Sequence, residues 1–251
     1  MAAPTVSNGV VYIVSRDSRG WAFDAATGRV RWQLQGAPST TGVVGGASPA
    51  VGGNIVVFPM GSTELLATFP KSGLQIWSSI AAGSRLGRVY AGVSDISADP
   101  VIVGNMVFVG TPSGRAAALD ASDGKAIWTI EQGATGPMIV EGGSVFMVTD
   151  KSELRRVNAS TGETIWSVAL PYFVPVRKAS KIRDVFPHYG PVLAGGRLWV
   201  ASGDGLLRGF DPTSGGLAAT IQMGDTAASR PVVVGGTLYL VGQSGTLMAF
   251  R

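Results

Sequence analysis

Cysteine is absent from this 251-residue chain, which excludes disulfides, thiolate metal sites, cysteine nucleophiles and a lipid carried on cysteine within these residues. Histidine occurs once, at position 188. A transition-metal site would have a single imidazole to draw on, and a Ser-His-Asp triad would rest on one loop residue, so neither chemistry is expected. Charged residues are only 14% of the chain and the net charge is +4, which demands no acidic partner. No apolar run approaches the roughly 20 residues of a membrane-spanning helix. Met1 leads straight into AAPTVSNGVVYIV, without the basic-then-apolar pattern of a secretory leader. Helical periodicity is missing as well beyond a turn or two.

Apolar residues make up 45% and glycine supplies 36 positions, a composition that implies a buried core and many tight turns. The glycines fall in a repeat. DAATGRVRW (24–32) returns as FPKSGLQIW (69–77), DASDGKAIW (120–128) and NASTGETIW (158–166). A worn copy, DPTSGGLAA (211–219), has lost the tryptophan. Self-similarity at a period of a few tens of residues decides the architecture before any local reading does.

Each repeat opens with two apolar runs joined by a turn dipeptide: Asn8-Gly9, Gly52-Gly53, Gly104-Asn105, Gly142-Gly143, Gly195-Gly196 and Gly235-Gly236. Such dipeptides between β-branched runs are hairpin signals, because the favoured two-residue turns need positive φ. The same placement, between two strands, excludes a phosphate-cradling loop, which joins a strand to a helix. A third strand follows, then the motif turn, then a fourth strand carrying the Trp. The expected fold is an all-β propeller of antiparallel blades, five of four strands and a last one of three. Blades are expected at about 1–36, 45–83, 95–133, 134–172, 187–224 and 226–251. Because the last blade stops after GTLMAFR, the chain reads as the C-terminal part of a larger ring, with a complete six-bladed ring as the alternative.

The motif residues Trp32, Trp77, Trp128 and Trp166, with Gly28, Gly73, Gly124, Gly162 and Gly215, read as a structural seam between blades. An aromatic can bury about 150–250 Å², and its recurrence at one position favours the seam over a stacking platform for a ligand. Trp21 and Trp199 fall outside the motif and read as core or rim residues. Two long connections, 81–100 and 171–190, break the repeat, and connections of such length are usually functional or mobile. The second groups Arg177, Lys178, Lys181 and Arg183 with Tyr172, Phe173, Phe186 and Tyr189. That mixture suits a protein interface, a solvated loop or nucleic acid, and the mild charge elsewhere weighs against the last.

The segment VIVGNMVFVGTPSGRAAALDASDGKAIW (101–128) resembles the repeat of pyrroloquinoline-quinone-type β-propellers. Quinoprotein dehydrogenases in that superfamily hold the quinone on the axis with Ca²⁺. The acidic and amide cluster such a metal needs is not evident here, and no cofactor or metal is expected. GVSDISADPVIVGNMVFVG and the ending RPVVVGGTLYLVGQSGTLMAFR are more similar to the BamB branch, outer-membrane assembly factors, with an α-proteobacterial look.

That resemblance implies a non-catalytic scaffold at the periplasmic face of the outer membrane. It would bind the periplasmic domains of BamA and possible unfolded outer-membrane proteins, with no nucleic acid. It implies an eight-bladed ring too, with about two blades, a closing strand, the signal and the lipid-bearing Cys outside these residues. By alignment, Asp95 matches the first acidic position that contacts BamA, and Ser97 stands where the second charge would be. The hydrophobic contact loop falls on Thr41, Gly42, Val43 and Val44 and lacks its terminal Arg, a role then open to Arg85 or Arg88. The expected alternatives are a quinone-dependent dehydrogenase-like propeller and an interaction module with another partner.

Overall fold

The computed structural model describes residues 2–37, 46–61, 63–81, 96, 98–175 and 184–251. Among these residues the regular elements are 23 β-strands in six antiparallel sheets, each a meander in which strands adjacent in sequence pair in space. Sheet 1 contains β1 (Thr5–Ser7), β2 (Val10–Val14), β3 (Arg19–Asp24) and β4 (Val30–Gln35). Sheet 2 contains β5 (Ala50–Gly52), β6 (Ile55–Pro59), β7 (Glu64–Thr68) and β8 (Gln75–Ile80). Sheet 3 contains β9 (Val101–Val103), β10 (Met106–Thr111), β11 (Arg115–Asp120) and β12 (Ala126–Ile130). Sheet 4 contains β13 (Ile139–Glu141), β14 (Ser144–Val148), β15 (Glu153–Asn158) and β16 (Thr164–Ala169). Sheet 5 contains β17 (His188–Ala194), β18 (Arg197–Ser202), β19 (Leu206–Phe210) and β20 (Leu217–Gln222). Sheet 6 has three strands, β21 (Val232–Val234), β22 (Thr237–Val241) and β23 (Leu247–Phe250).

The turn dipeptides sit between the first two strands of each sheet, with one correction. Gly52 pairs with Ile55, so the second hairpin turns at Gly53-Asn54 and Gly52 belongs to β5. A glycine is needed there because a Cβ would lie 2.7 Å from Ile102 of the next sheet. A second correction concerns His188, which lies in β17 instead of a loop, so the connection before sheet 5 ends at 187.

Apolar runs such as IVVFP are continuous because both faces of the inner sheets are buried. In sheet 2, Val56, Phe58 and Leu66 pack toward sheet 1, while Val57, Leu65 and Ala67 pack toward sheet 3. The same alternation makes five clusters, one between each successive pair of sheets. Each fully buried Val, Leu or Phe contributes roughly 1.5–3 kcal/mol relative to exposure. The first strands β1, β5, β9, β13, β17 and β21 touch one after another, so the sheets fan about a common axis as propeller blades. On sheet 6 the positions that other sheets cover with the next blade are open, with Leu247 66% and Tyr239 36% exposed.

Candidate functional site

The motif turns are built from local hydrogen bonds. Asp24 Oδ1 accepts from the N–H groups of Ala26 (3.1 Å) and Thr27 (2.9 Å), and Gly28 N–H donates to the Asp24 carbonyl at 2.8 Å. Asn158 and Asp211 repeat the arrangement in sheets 4 and 5. An acceptor followed by a residue with positive φ closes the turn between third and fourth strands. The aspartate carboxyls of these turns are held below their usual value, Asp24 well below it. Asp24 is lowered first by the Arg31 side chain and then by Thr27, and Asp120 first by the Ser122 hydroxyl.

Each motif tryptophan crosses to the turn of the following sheet. The indole N–H of Trp32 donates to Pro70 O (3.0 Å), Trp77 to Ala121 O (2.8 Å), Trp128 to Ala159 O (2.8 Å) and Trp166 to Pro212 O (3.2 Å). The ring lies against the next motif glycine. A Cβ on Gly73, Gly124, Gly162 or Gly215 would fall 2.6–2.9 Å from the indole of the preceding sheet. A register shift beside the residue opposite each Trp, as at Ala118/Leu119, re-aims the fourth strand at this point. In sheet 4 the opposite residue is Arg156, whose guanidinium donates to Pro212 O and Thr213 O and stands 5.7 Å from the Phe146 ring.

Sheet 5 lacks the motif Trp and fills the same space from another strand. Trp199 on β18 packs with the cluster facing sheet 6, its N–H on Ala194 O at 3.1 Å. A Cβ on Gly209, the residue paired with Ala219, would sit 2.9 Å from that ring. Trp21 instead stacks on Phe23, with ring centroids 6.0 Å apart.

The partner-binding candidates from the sequence, Val43, Val44, Arg85, Arg88, Asp95, Ser97, Arg177, Lys178, Lys181 and Arg183, lie outside the described residues. The chain on either side of them is well anchored. Ala37 N–H donates to Glu64 Oε2 at 3.0 Å, and Ala47 is buried in the cluster between sheets 2 and 3. Ile96, the residue between Asp95 and Ser97, is 1% exposed in that cluster. The connection after sheet 4 forms a short ladder, with Phe173 paired to Val185, Val174 N–H on Asp184 O and Phe186 N–H on Tyr172 O. Both side chains of the bridge are about half exposed, at 52% and 47%.

His188 ties the base of that ladder to sheet 5. Nε2 lies 2.7 Å from Pro171 O, which can only accept, so this nitrogen carries the proton and Nδ1 accepts from the Ser202 hydroxyl at 2.8 Å. Burial lowers the pKa of the ring and keeps it neutral. With both nitrogens engaged, it is a positioning residue. Among the described residues, no group of three or more His, Asp and Glu side chains could hold a metal ion. Sequence reasoning missed two features: the replacement of the fifth motif Trp by Trp199, and a cavity lined by residues of all six sheets. The signal for the second was a proline in or just before every first strand.

A family model described as outer membrane protein assembly factor BamB matches residues 1–168. The outer membrane protein assembly factor BamB of Yersinia pestis is 24% identical over 255 residues, covering 100% of this chain and 61% of the relative. That of Moranella endobia is 26% identical over 141 residues, covering 56% of this chain and 36% of the relative. The chain thus spans less than two thirds of these relatives. The crystal structure of BamB from Moraxella catarrhalis superposes with a TM-score of 0.81 at 18% identity, covering 100% of this chain and 72% of that one. Repeat, sheet order and family match agree: the chain belongs to the family of the outer membrane protein assembly factor BamB.

Proposed function

We propose that the protein is a non-catalytic scaffold subunit of the β-barrel assembly machine. It binds the periplasmic domains of BamA and so assists the folding and insertion of outer-membrane proteins at the periplasmic face of the outer membrane. The family match over residues 1–168 carries this reading. A propeller suits the task physically, because rigid blades hold the connecting segments at fixed separations while those segments vary freely. The segments 38–45 and 82–97 supply the contact, with Val43 and Val44 as apolar residues, Asp95 as the charge and Arg85 or Arg88 as the basic group. The ladder on either side of 176–183 adds half-exposed Phe173 and Val185, and the sequence between them carries the basic run of Arg177, Lys178, Lys181 and Arg183. Aromatic residues and Arg of this kind are enriched at interfaces.

The side chains present do not fit a quinone held with calcium. Among the described residues the cavity on the axis offers one carboxylate, Asp99, already engaged by Ser48 N–H and by Arg230, and the chain has no cysteine pair. The test is a titration of BamA periplasmic domains with the protein and with Asp95→Arg combined with Val43→Asp. Binding weakened at least about tenfold (~1.4 kcal/mol) is expected; unchanged affinity removes these residues from the interface.

A further inference from the structure

A proline stands at or just before the first strand of every sheet: Pro4, Pro49, Pro100, Pro137, Pro191 and Pro231. The residues that precede them are Ala3, Ser48, Asp99, Gly136, Gly190 and Arg230, and all six line one cavity of about 290 Å³. Each blade therefore contributes one equivalent position to the axis. Three of the six are Ala or Gly and leave room; Ser48 is small and polar. The remaining two carry opposite charges, and among the described residues they are the only charged side chains on the cavity wall.

Those two charges are pre-arranged. Asp99 Oδ1 accepts the Ser48 N–H at 2.6 Å, and the Ser48 hydroxyl oxygen in turn accepts the Ala3 N–H at 3.1 Å. Asp99 Oδ2 meets Arg230 Nη1 at 3.0 Å, a link between sheets 3 and 6, which share no core cluster. One end of the guanidinium is thereby used. Its Nε and Nη2 have no protein partner among the described residues, and the side chain is 49% exposed. His188 lines the wall too, but it is neutral and both its nitrogens are engaged, so it adds neither charge nor a free donor.

A bare anion at Arg230 must compete with Asp99, and a bare cation at Asp99 must compete with Arg230. A molecule carrying both charges satisfies each partner at once. We propose that the axial cavity binds a small zwitterion of the amino-acid class, its carboxylate on the free edge of Arg230 and its ammonium on Asp99. The planar fork of Arg suits a carboxylate bidentately. The cavity lies at the lower end of small-molecule pockets, which limits the ligand to about amino-acid size. The proposal is independent of the scaffold reading.

NMR titration of the 251-residue chain with glycine, acetate and methylammonium tests it. Glycine is expected to shift resonances of the cavity wall saturably with a Kd of roughly 1–10 mM. Acetate and methylammonium should bind at least about tenfold more weakly. Arg230→Gln should abolish the glycine response. Arg230→Lys, which keeps the charge and loses the fork, should weaken it about tenfold and serves if the glutamine variant misfolds. Asp99→Asn should raise acetate binding relative to glycine. Equal responses to glycine and acetate, glycine shifts that survive both Arg230 variants, or no shift up to about 50 mM would each overturn the proposal.

Discussion

Gly28 and Gly162 occupy the same motif position with nearly the same backbone, φ +70° and +75°. A Cβ on Gly28 would meet nothing within 4 Å, whereas one on Gly162 would fall 2.8 Å from the Trp128 ring. Both alanine substitutions incur the left-handed penalty of about 1–2 kcal/mol. Gly162→Ala should cost at least ~1 kcal/mol more through overpacking, a difference that urea denaturation of the two variants measures; equal losses would mean that the indole yields freely. Trp128→Ala should destabilise by ~3–5 kcal/mol, since it empties a buried volume and leaves Ala159 O without its donor. At His188 the pH dependence has a definite sign. Burial lowers its folded pKa, while the Pro171 carbonyl and Asp204 pull less strongly the other way. The unfolded chain therefore takes the proton first, and stability should fall as pH drops below about 6.5. As the only histidine, it accounts for this window alone. The lowered carboxyls, such as Asp24 and Asp211, lose their contribution only as pH falls from about 4 downward. Denaturation at pH 7.5 and 5.5 should show a slope in the native protein and a flat response in His188→Gln.

Within the sheets, what the sequence made legible and what it hid have separate physical causes. The hairpins were readable because Asn-Gly and Gly-Gly pairs interrupt β-branched runs, and the structure places strands on both sides of them. The second turn was off by one residue because Gly52 is small for packing against Ile102, and composition does not separate that reason from turn formation. His188 read as a loop residue because it closes a long irregular connection, yet it pairs with Ser202 at the start of β17. In sheet 5 the missing motif Trp pointed to a worn blade. The structure has Trp199 from β18 over Gly209, so the space is filled by a neighbouring strand. A one-dimensional motif cannot show such a substitution across strands. Trp199→Ala should thus destabilise by a few kcal/mol, ~2–5, as a Trp lost from a packed face does; a change within about 0.5 kcal/mol, typical of surface sites, would contradict this packing role.

At the scale of the molecule, the period of the repeat and the count of strands sufficed to define six blades, because each blade must bury both faces against its neighbours. The axis was hidden, since its lining comes from short stretches tens of positions apart, and the equivalent residue of each blade is marked only by a following proline. Of the proposed contact residues, Val43, Val44 and Asp95 were legible only through the family resemblance and the basic run from Arg177 to Arg183 only as an interruption of the repeat, and these residues fall outside the described ones. The open face of sheet 6 makes a further expectation. Val234 and Leu247 are 63% and 66% exposed, so Val234→Lys with Leu247→Lys should reduce aggregation while changing stability by no more than about 1 kcal/mol; light scattering and a melt would show both. The most direct test of the scaffold reading is the titration of BamA periplasmic domains, monitored by calorimetry, with Lys125→Glu as a control on the exposed Asp123–Lys125 turn. Saturable binding, unaffected by that control and weakened about tenfold or more by Asp95→Arg with Val43→Asp, is the predicted result. No binding to BamA, or binding indifferent to both changes, would contradict it.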